Sequence, residues 1–295
     1  MTQVVIPPGT ETPIDDLIRD DALPAGGRDI VATNADDRVP GSPDDDVIAA
    51  LAGDDLIASG GGDDNLLLGF GSDTGVGGAG SDSIQANQGA DSISGGLGDD
   101  CLRGGKDDDI VEGDEGADIL YGDRGSDVVS GGADNDSIQG GAGNDLLSGG
   151  IGSDSLRGGK GEDTLIGNEG NDTLSGDKGN DSLIGGAGAD VFYFLTAADG
   201  SFGTDTITDF NPDEDIIGLD GESFNFTGTG TLAAGDFVVA ENFSPNASSG
   251  STQSIIYDPV NGIIYFNPSA GTGDENPIAR ITPGTDINNT DFEIF

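Results

Sequence analysis

The chain has no histidine and no tryptophan, one cysteine and one methionine, and only 10 basic residues against 56 acidic ones. Without histidine there is no imidazole base, and with a single thiol there is no ligand set for zinc or copper. A lone Cys101 also excludes an internal disulfide framework. The formal net charge of −46 argues against nucleic acid, whose phosphates are met by Lys and Arg. No run of 18 apolar residues exists, so no transmembrane helix is expected. Residues 1–30 hold neither a basic n-region nor an apolar run of 7 to 15, so no secretory signal peptide is expected either. Signatures of catalysis are missing as well: no G-x-S-x-G, no nucleophile beside a base and no single phosphate cradle at a helix start. The stretch before the repeats, 1–40, is too short for a separate catalytic domain. The expectation is a protein that is not an enzyme.

What is present is a period. An aspartate recurs every ninth residue: Asp46, Asp55, Asp64, Asp73, Asp82, Asp91, Asp100, Asp109, Asp118, Asp127, Asp136, Asp145, Asp154, Asp163, Asp172, Asp181 and Asp190. Numbered with that Asp at position 6, the consensus unit is G-G-x-G-x-D-x-U-x with U apolar. Position 4 is Gly except at Asp44, Asp107 and Asp134, and position 8 is apolar except at Gly75. A fixed short period means a solenoid, in which each unit packs on its neighbours.

Residues 140–148 (GGAGNDLLS) show what one unit does. Glycines at positions 1, 2 and 4 suit a sharp loop, with positive φ and close backbone approach. The last three residues are expected to form a minimal strand with only position 8, here Leu147, entering the core. Two units then make one 18-residue coil of loop, strand, loop and strand. Coils stack about 4.8 Å apart in two parallel sheets.

Stacking places carboxylates in rows. Two unit charges at about 4.8 Å repel by roughly 0.9 kcal/mol in water and roughly 3.5 at an effective dielectric of 20. Repeated over every neighbouring pair, that is comparable to or larger than the ~5–15 kcal/mol that stabilises a whole domain. A cation is therefore expected between the rows. An Asp from each of two stacked loops, with backbone carbonyls such as those of Gly140, Gly141 and Gly143, offers the 6 to 8 oxygens that suit Ca²⁺ and not the strict octahedron of Mg²⁺. The expectation is up to about 15 Ca²⁺ ions, one per stacked pair of the 17 aspartates. Without metal, one large apolar side chain per repeat does not offset the backbone entropy of ordering the unit. The metal-free chain is expected to be expanded.

On these residues the chain resembles the RTX (repeats-in-toxin, hemolysin-type calcium-binding) family. The resemblance implies an all-β fold, a parallel β-roll of calcium-binding nonapeptides followed by an antiparallel β cap. It also implies export by the type I secretion machinery, the C-terminal region serving as an uncleaved signal, and an extracellular, secreted protein. Residues 204–210 (TDTITDF), the hairpin SIIYD and GIIYFN within 254–267, and the final Asp291, Phe292, Glu293, Ile294 and Phe295 are similar to the C-terminal part of secreted family members.

The organisation expected is a flexible leader at 1–31, a roll at 32–193 and a cap at 194–295. Residues 32–40 form a degenerate unit with Asp37 at position 6 and Val39 at position 8. Asp37, Asp205, Asp209 and Asp215 are further candidate calcium ligands. Superimposed on the nine-residue unit is a longer one of six repeats: GGLGDDCLRGGKDDD at 95–109 recurs as GGIGSDSLRGGKGED at 149–163. Arg103 and Arg157 should thus occupy equivalent outer positions, with Tyr121 and Gln139 in the lane of Arg103 and a mostly small set, Ser94, Glu112, Ser130, Ser148 and Ile166, on the opposite face. The functional expectation is a calcium-loaded structural or binding component of the bacterial surface or matrix, with cell-surface or matrix polymers as partners. Alternatives are a membrane-active or host-directed effector and a carbohydrate- or ice-binding solenoid.

Overall fold

The structure, a computed structural model, describes residues 2–5, 26–195, 203–222, 224, 226, 229–241, 254–267 and 276–295. The chain divides into two compact units, Met1–Gly152 and Ser153–Phe295.

In the first unit the strands alternate between two parallel sheets. One takes Val47–Ala52, Asn65–Phe70, Ser83–Gln88, Cys101–Lys106, Ile119–Arg124 and Ser137–Ala142; the other takes Arg38–Ser42, Leu56–Gly61, Thr74–Ala79, Ser92–Leu97, Ile110–Glu115, Val128–Ala133 and Leu146–Ile151. Each strand pairs with the next but one in the chain, as Leu66↔Ile84, Ile84↔Leu102 and Leu102↔Leu120 illustrate. The register expected from the Asp period is the register observed.

The strands are longer than expected. Each regular strand runs from position 7 through position 3 of the next unit, as Cys101–Lys106 does, leaving only positions 4 to 6 for the turn. Its alternation buries position 1 as well as position 8. The expectation that position 8 alone enters the core is corrected here. The reason is that position 1 is glycine in most units and has no side chain to read, although the buried Ala50, Leu68 and Ala86 mark its inward direction in three early ones.

The glycines also divide their work. Positions 2 and 4 carry positive φ, as at Gly78 (114°) and Gly80 (134°), and where position 2 is not Gly it is still left-handed, as at Asn87 (80°) and Asp123 (76°). Position 1 is glycine in most units for a different reason, close approach: a Cβ on Gly95 would meet Asp100 Oδ2 at 2.1 Å. The core of this unit is built from the position-8 side chains, from Ile48 to Leu147, with Ala50, Leu68 and Ala86 added from position 1, each almost inaccessible.

The roll starts earlier than the repeat register. Arg28–Val31 pairs parallel with the strand Val47–Ala52, and Thr2–Val5 pairs parallel with Arg28–Val31. These segments of the expected flexible leader are strands. Arg28 stands where the Asp of a coil would be, its amide donating to Asp46 Oδ1 at 2.6 Å. Residues 1 and 6–25 of the leader lie outside the described residues.

In the second unit the same alternation gives Ser155–Lys160, Thr173–Lys178 and Val191–Phe194 on one sheet and Thr164–Glu169 and Ser182–Ala187 on the other. The degenerate coils follow the register: Asp205–Ile207 pairs parallel with Ser182–Ala187, and Ile216–Leu219 with Val191–Phe194. Two more parallel strands follow, Asn276–Arg280 beside Asp205–Ile207 and Phe292–Ile294 beside Ile216–Leu219. Antiparallel pairing begins outside them. Ile263–Asn267 pairs antiparallel with both Ser254–Asp258 and Asn276–Arg280, and Gly230–Thr231 with Phe292–Ile294. Aromatic contacts replace the thin aliphatic file here, with Phe224 against Phe266 (ring centroids 4.9 Å apart) and Phe237 against Phe292 (5.4 Å).

Candidate metal centre

The aspartate of each repeat is buried although its turn lies at the edge of the coil; Asp100 and Asp109 are 2% and 1% exposed. Its two oxygens have different surroundings. Oδ1 accepts the backbone amide of the equivalent Asp one coil earlier: Asp82 N to Asp100 Oδ1 at 2.7 Å, Asp91 N to Asp109 at 2.9 Å, Asp100 N to Asp118 at 2.7 Å, Asp109 N to Asp127 at 2.9 Å. The second unit repeats this from Asp154 N to Asp172 Oδ1 and from Asp163 N to Asp181 Oδ1. Oδ2 is different: in Asp55, Asp64, Asp73, Asp82, Asp91, Asp100, Asp109, Asp118, Asp127, Asp172 and Asp181 it is buried with no hydrogen-bond partner. A buried oxygen left without a donor is costly.

That orphaned oxygen faces a space bounded by a second oxygen. A Cβ built on Gly77 would lie 2.3 Å from Asp82 Oδ2 and 2.7 Å from the carbonyl oxygen of Gly95. For Gly122 the same test meets Asp127 Oδ2 at 2.5 Å and Gly140 O at 2.7 Å, and for Gly167 it meets Asp172 Oδ2 at 2.3 Å and Gly185 O at 2.4 Å. A carboxylate oxygen of one coil and a carbonyl of the next thus converge where a side chain at position 1 would sit. Of the carbonyls named above, that of Gly140 lines this space. The carbonyls at positions 2 and 4 abut a glycine of the next coil instead, as Gly78 O does at Gly96 and Gly80 O at Gly98.

The cradle is not uniform. Position 1 is Gly41, Gly77 and, from Gly95 onward, Gly in every unit through Gly185, but it is Ala50, Ser59, Leu68 and Ala86 in four early units. There a side chain occupies the space, and Ser59 Oγ donates to Gly77 O at 2.7 Å.

The extra candidates behave in three ways. Asp37 Oδ2 accepts from Thr33 N and Oγ1, and the Asp37 amide donates to Asp55 Oδ1, so it belongs to the row. Asp205 and Asp215 take the place of the repeat aspartate in the degenerate coils, accepting from Asp181 N (3.2 Å) and Asp190 N (3.0 Å). Asp209 does something else: its two oxygens take the amides of Gly185 (3.1 Å) and Gly186 (2.9 Å).

Electrostatics follow the burial. Desolvation pushes the carboxyl of Asp109 up to about 8, the amide of Asp91 pulling back and the charges of Asp91 and Asp127 adding to the rise. Asp55 and Asp100 rise to about 7 for the same leading reason, and Asp82, Asp118 and Asp127 to about 6. Among the described residues no three carboxylates converge, so a cation held here must draw on carbonyl oxygens too. Orphaned carboxylate oxygens beside carbonyls, with no nitrogen or sulfur donor, fit a hard cation such as Ca²⁺.

The model of the RTX calcium-binding nonapeptide repeat matches residues 40–75, 69–102, 76–111, 98–129, 130–165 and 166–196. The chain belongs to this family. The RTX roll described here is thus a calcium-binding β-roll. Two solved structures resemble it: the AlgE6R3 subunit of the Azotobacter vinelandii mannuronan C5-epimerase, 27% identical over 52% of this chain and 79% of that one with a TM-score of 0.34, and the AlgE6R2 subunit of the same enzyme, 25% identical over 52% and 90% with a TM-score of 0.33. No curated protein matches the chain.

A second row of contacts in the RTX turns was not foreseen. Side chains at position 5 accept the amide of position 5 in the next coil, as Asp54 Oδ1 does from Ser72 N (2.8 Å) and Asp108 Oδ1 from Ser126 N (2.7 Å). The signal was present in the sequence as the run of Asp, Asn and Ser just before the repeat aspartate.

Proposed function

We propose that this RTX roll is a secreted, non-catalytic binding or structural component of the bacterial surface or matrix, exported unfolded by type I secretion machinery and folded by calcium outside the cell. The observation that carries the reading is the row of buried aspartates with an orphaned Oδ2. These residues cannot be charged, stacked and dry at once unless a cation joins them, so folding waits for calcium. Bound calcium supplies the positive charge and the remaining coordination between adjacent coils. The chain supplies the rest: Oδ1 fixes the carboxylate to the preceding coil, and glycine at position 1 keeps the space open.

The C-terminal strand suits an address read before folding. Phe292 and Ile294 are buried beside Ile216–Leu219, and Asp291 Oδ2 accepts the Asn288 amide at 2.7 Å. In the folded protein these three side chains are withdrawn, while Glu293 is half-buried and Phe295 exposed. The test is removal of the segment 236–295: the truncated protein should stay inside the cell while its repeats still bind calcium after purification. Normal secretion of that truncation would overturn the export reading, and a fully β chain in excess chelator would overturn the calcium dependence.

A further inference from the structure

Between residues 41 and 193 the chain carries six cations, Arg103, Lys106, Arg124, Arg157, Lys160 and Lys178. In each unit all three fall on one sheet, on the strands Cys101–Lys106 and Ile119–Arg124 in the first and Ser155–Lys160 and Thr173–Lys178 in the second. The second triad repeats the first, each cation recurring six repeats later. In a chain of net charge −46, such segregation is a feature to explain.

Lys106 and Arg124 are direct cross-strand partners, as are Lys160 and Lys178, and like charges placed opposite each other destabilise a sheet. Both Lys106 and Arg124 are exposed, and among the described residues neither reaches a carboxylate. The third cation is held in place. Arg103 lies over the Tyr121 ring at 4.8 Å and gives Nε to Asp123 Oδ2 at 3.2 Å. Asp123 does this from a left-handed φ of 76° at a position that is usually glycine. Asp177 holds Arg157 Nε in the same way from φ 68°. The first triad opens on a groove of about 480 Å³ whose walls include the amides of Gln85 and Asn87.

We infer that this groove binds a linear acidic polysaccharide, its carboxylates on Arg103, Lys106 and Arg124 and its hydroxyls on the Gln85 and Asn87 amides. Cations beside neutral amides match a ligand that offers both anions and hydroxyls. Side chains repeating every coil, about 4.8 Å apart, match an extended chain lying along the stack. A nucleic acid, with its denser charge, is opposed by the surrounding carboxylates. An anionic membrane would need an apolar anchor that the groove walls do not supply. The inference requires only the folded roll and is independent of export.

The experiment uses full-length protein in saturating calcium, shown by circular dichroism to be β-folded, with hyaluronan and chondroitin sulfate as probes and neutral dextran as control. The double variant Lys106→Gln/Arg124→Gln should lose affinity tenfold or more. Arg38→Gln/Arg280→Gln, with the same change of net charge elsewhere, should stay within twofold of the parent, and both should keep its calcium midpoint. No binding of either acidic polysaccharide overturns the inference. Equal losses in the two double variants overturn it as well, as does binding confined to phosphatidylserine vesicles or to DNA.

Discussion

Oδ1 of Asp100 accepts the backbone amide of Asp82 at 2.7 Å, so the aspartate that offers its other oxygen to a cation is also the hydrogen-bond partner of the coil before it. One side chain serves both the polypeptide and the metal, and substitution can separate the two.

Asp100→Asn keeps an oxygen for the Asp82 amide and removes the charge, whereas Asp100→Ala removes both. Each should raise the calcium midpoint several-fold. In saturating calcium, urea unfolding should find the Ala variant less stable than the Asn variant by about 1–3 kcal/mol, the cost of leaving a buried amide without an acceptor. Equal stability of the two would mean that the amide contact contributes nothing.

The metal-free roll should depend on pH in the sense opposite to ordinary acid denaturation. Burial raises Asp109 to about 8, Asp100 to about 7 and Asp127 to about 6. Above the ordinary carboxylate range the unfolded chain has lost these protons while the fold retains them, so stability falls as pH rises through about 4 to 8. Chelated protein should therefore gain β signal on acidification to about pH 5. Its calcium midpoint should rise there, and binding at neutral pH should release protons. A midpoint independent of pH between 5 and 8 would contradict the burial of these carboxylates.

Gly122→Ala and Ala86→Gly test the cradle from both sides. A Cβ at 122 would meet Asp127 Oδ2 at 2.5 Å and Gly140 O at 2.7 Å, so this variant should bind one fewer ion. Ala86, fully buried, fills the corresponding space in the unit of Asp91, and its replacement should add one ion. Native mass spectrometry in calcium counts both, and unchanged counts would place the ions elsewhere.

Position within the array should matter too. Asp136 receives the Asp118 amide within the row, at 2.9 Å, whereas Asp46 stands near the start and receives those of Arg28 and Ser42. Asp136→Ala should lower the cooperativity of calcium titration more than Asp46→Ala does. Identical midpoints and slopes would rule out nearest-neighbour coupling.

The spacing of Asp46 to Asp190 carried the coil length, the parallel pairing and the buried file from Ile48 onward, because each is a matter of period. What the period could not show is the direction of a residue without a side chain. Glycine at position 1 reads as loop, yet it lies inside a strand and shapes the cation's space. The role of Asp209, holding the Gly185 and Gly186 amides, was equally hidden, since nothing in TDTITDF separates its second aspartate from the one that continues the row. The antiparallel hairpin was legible from SIIYD and GIIYFN. The parallel placement of Phe292–Ile294 beside Ile216–Leu219 was not, because pairing between segments so distant in sequence leaves no local mark.

Along the regular repeats the aspartate–amide contacts that join one coil to the next link residues two repeats apart, and that arithmetic governs how such a gene can change length. A copied block of three coils, or of any whole number of coils, inserts with each donor still finding its acceptor and each Arg still on its own sheet. A single extra repeat preserves the motif but moves every later strand to the opposite sheet, carrying the cations of that segment across to the wrong face. Duplication can thus lengthen this molecule freely only in whole coils, and an odd number of repeats gained or lost would leave the motif count plausible while scrambling the surface.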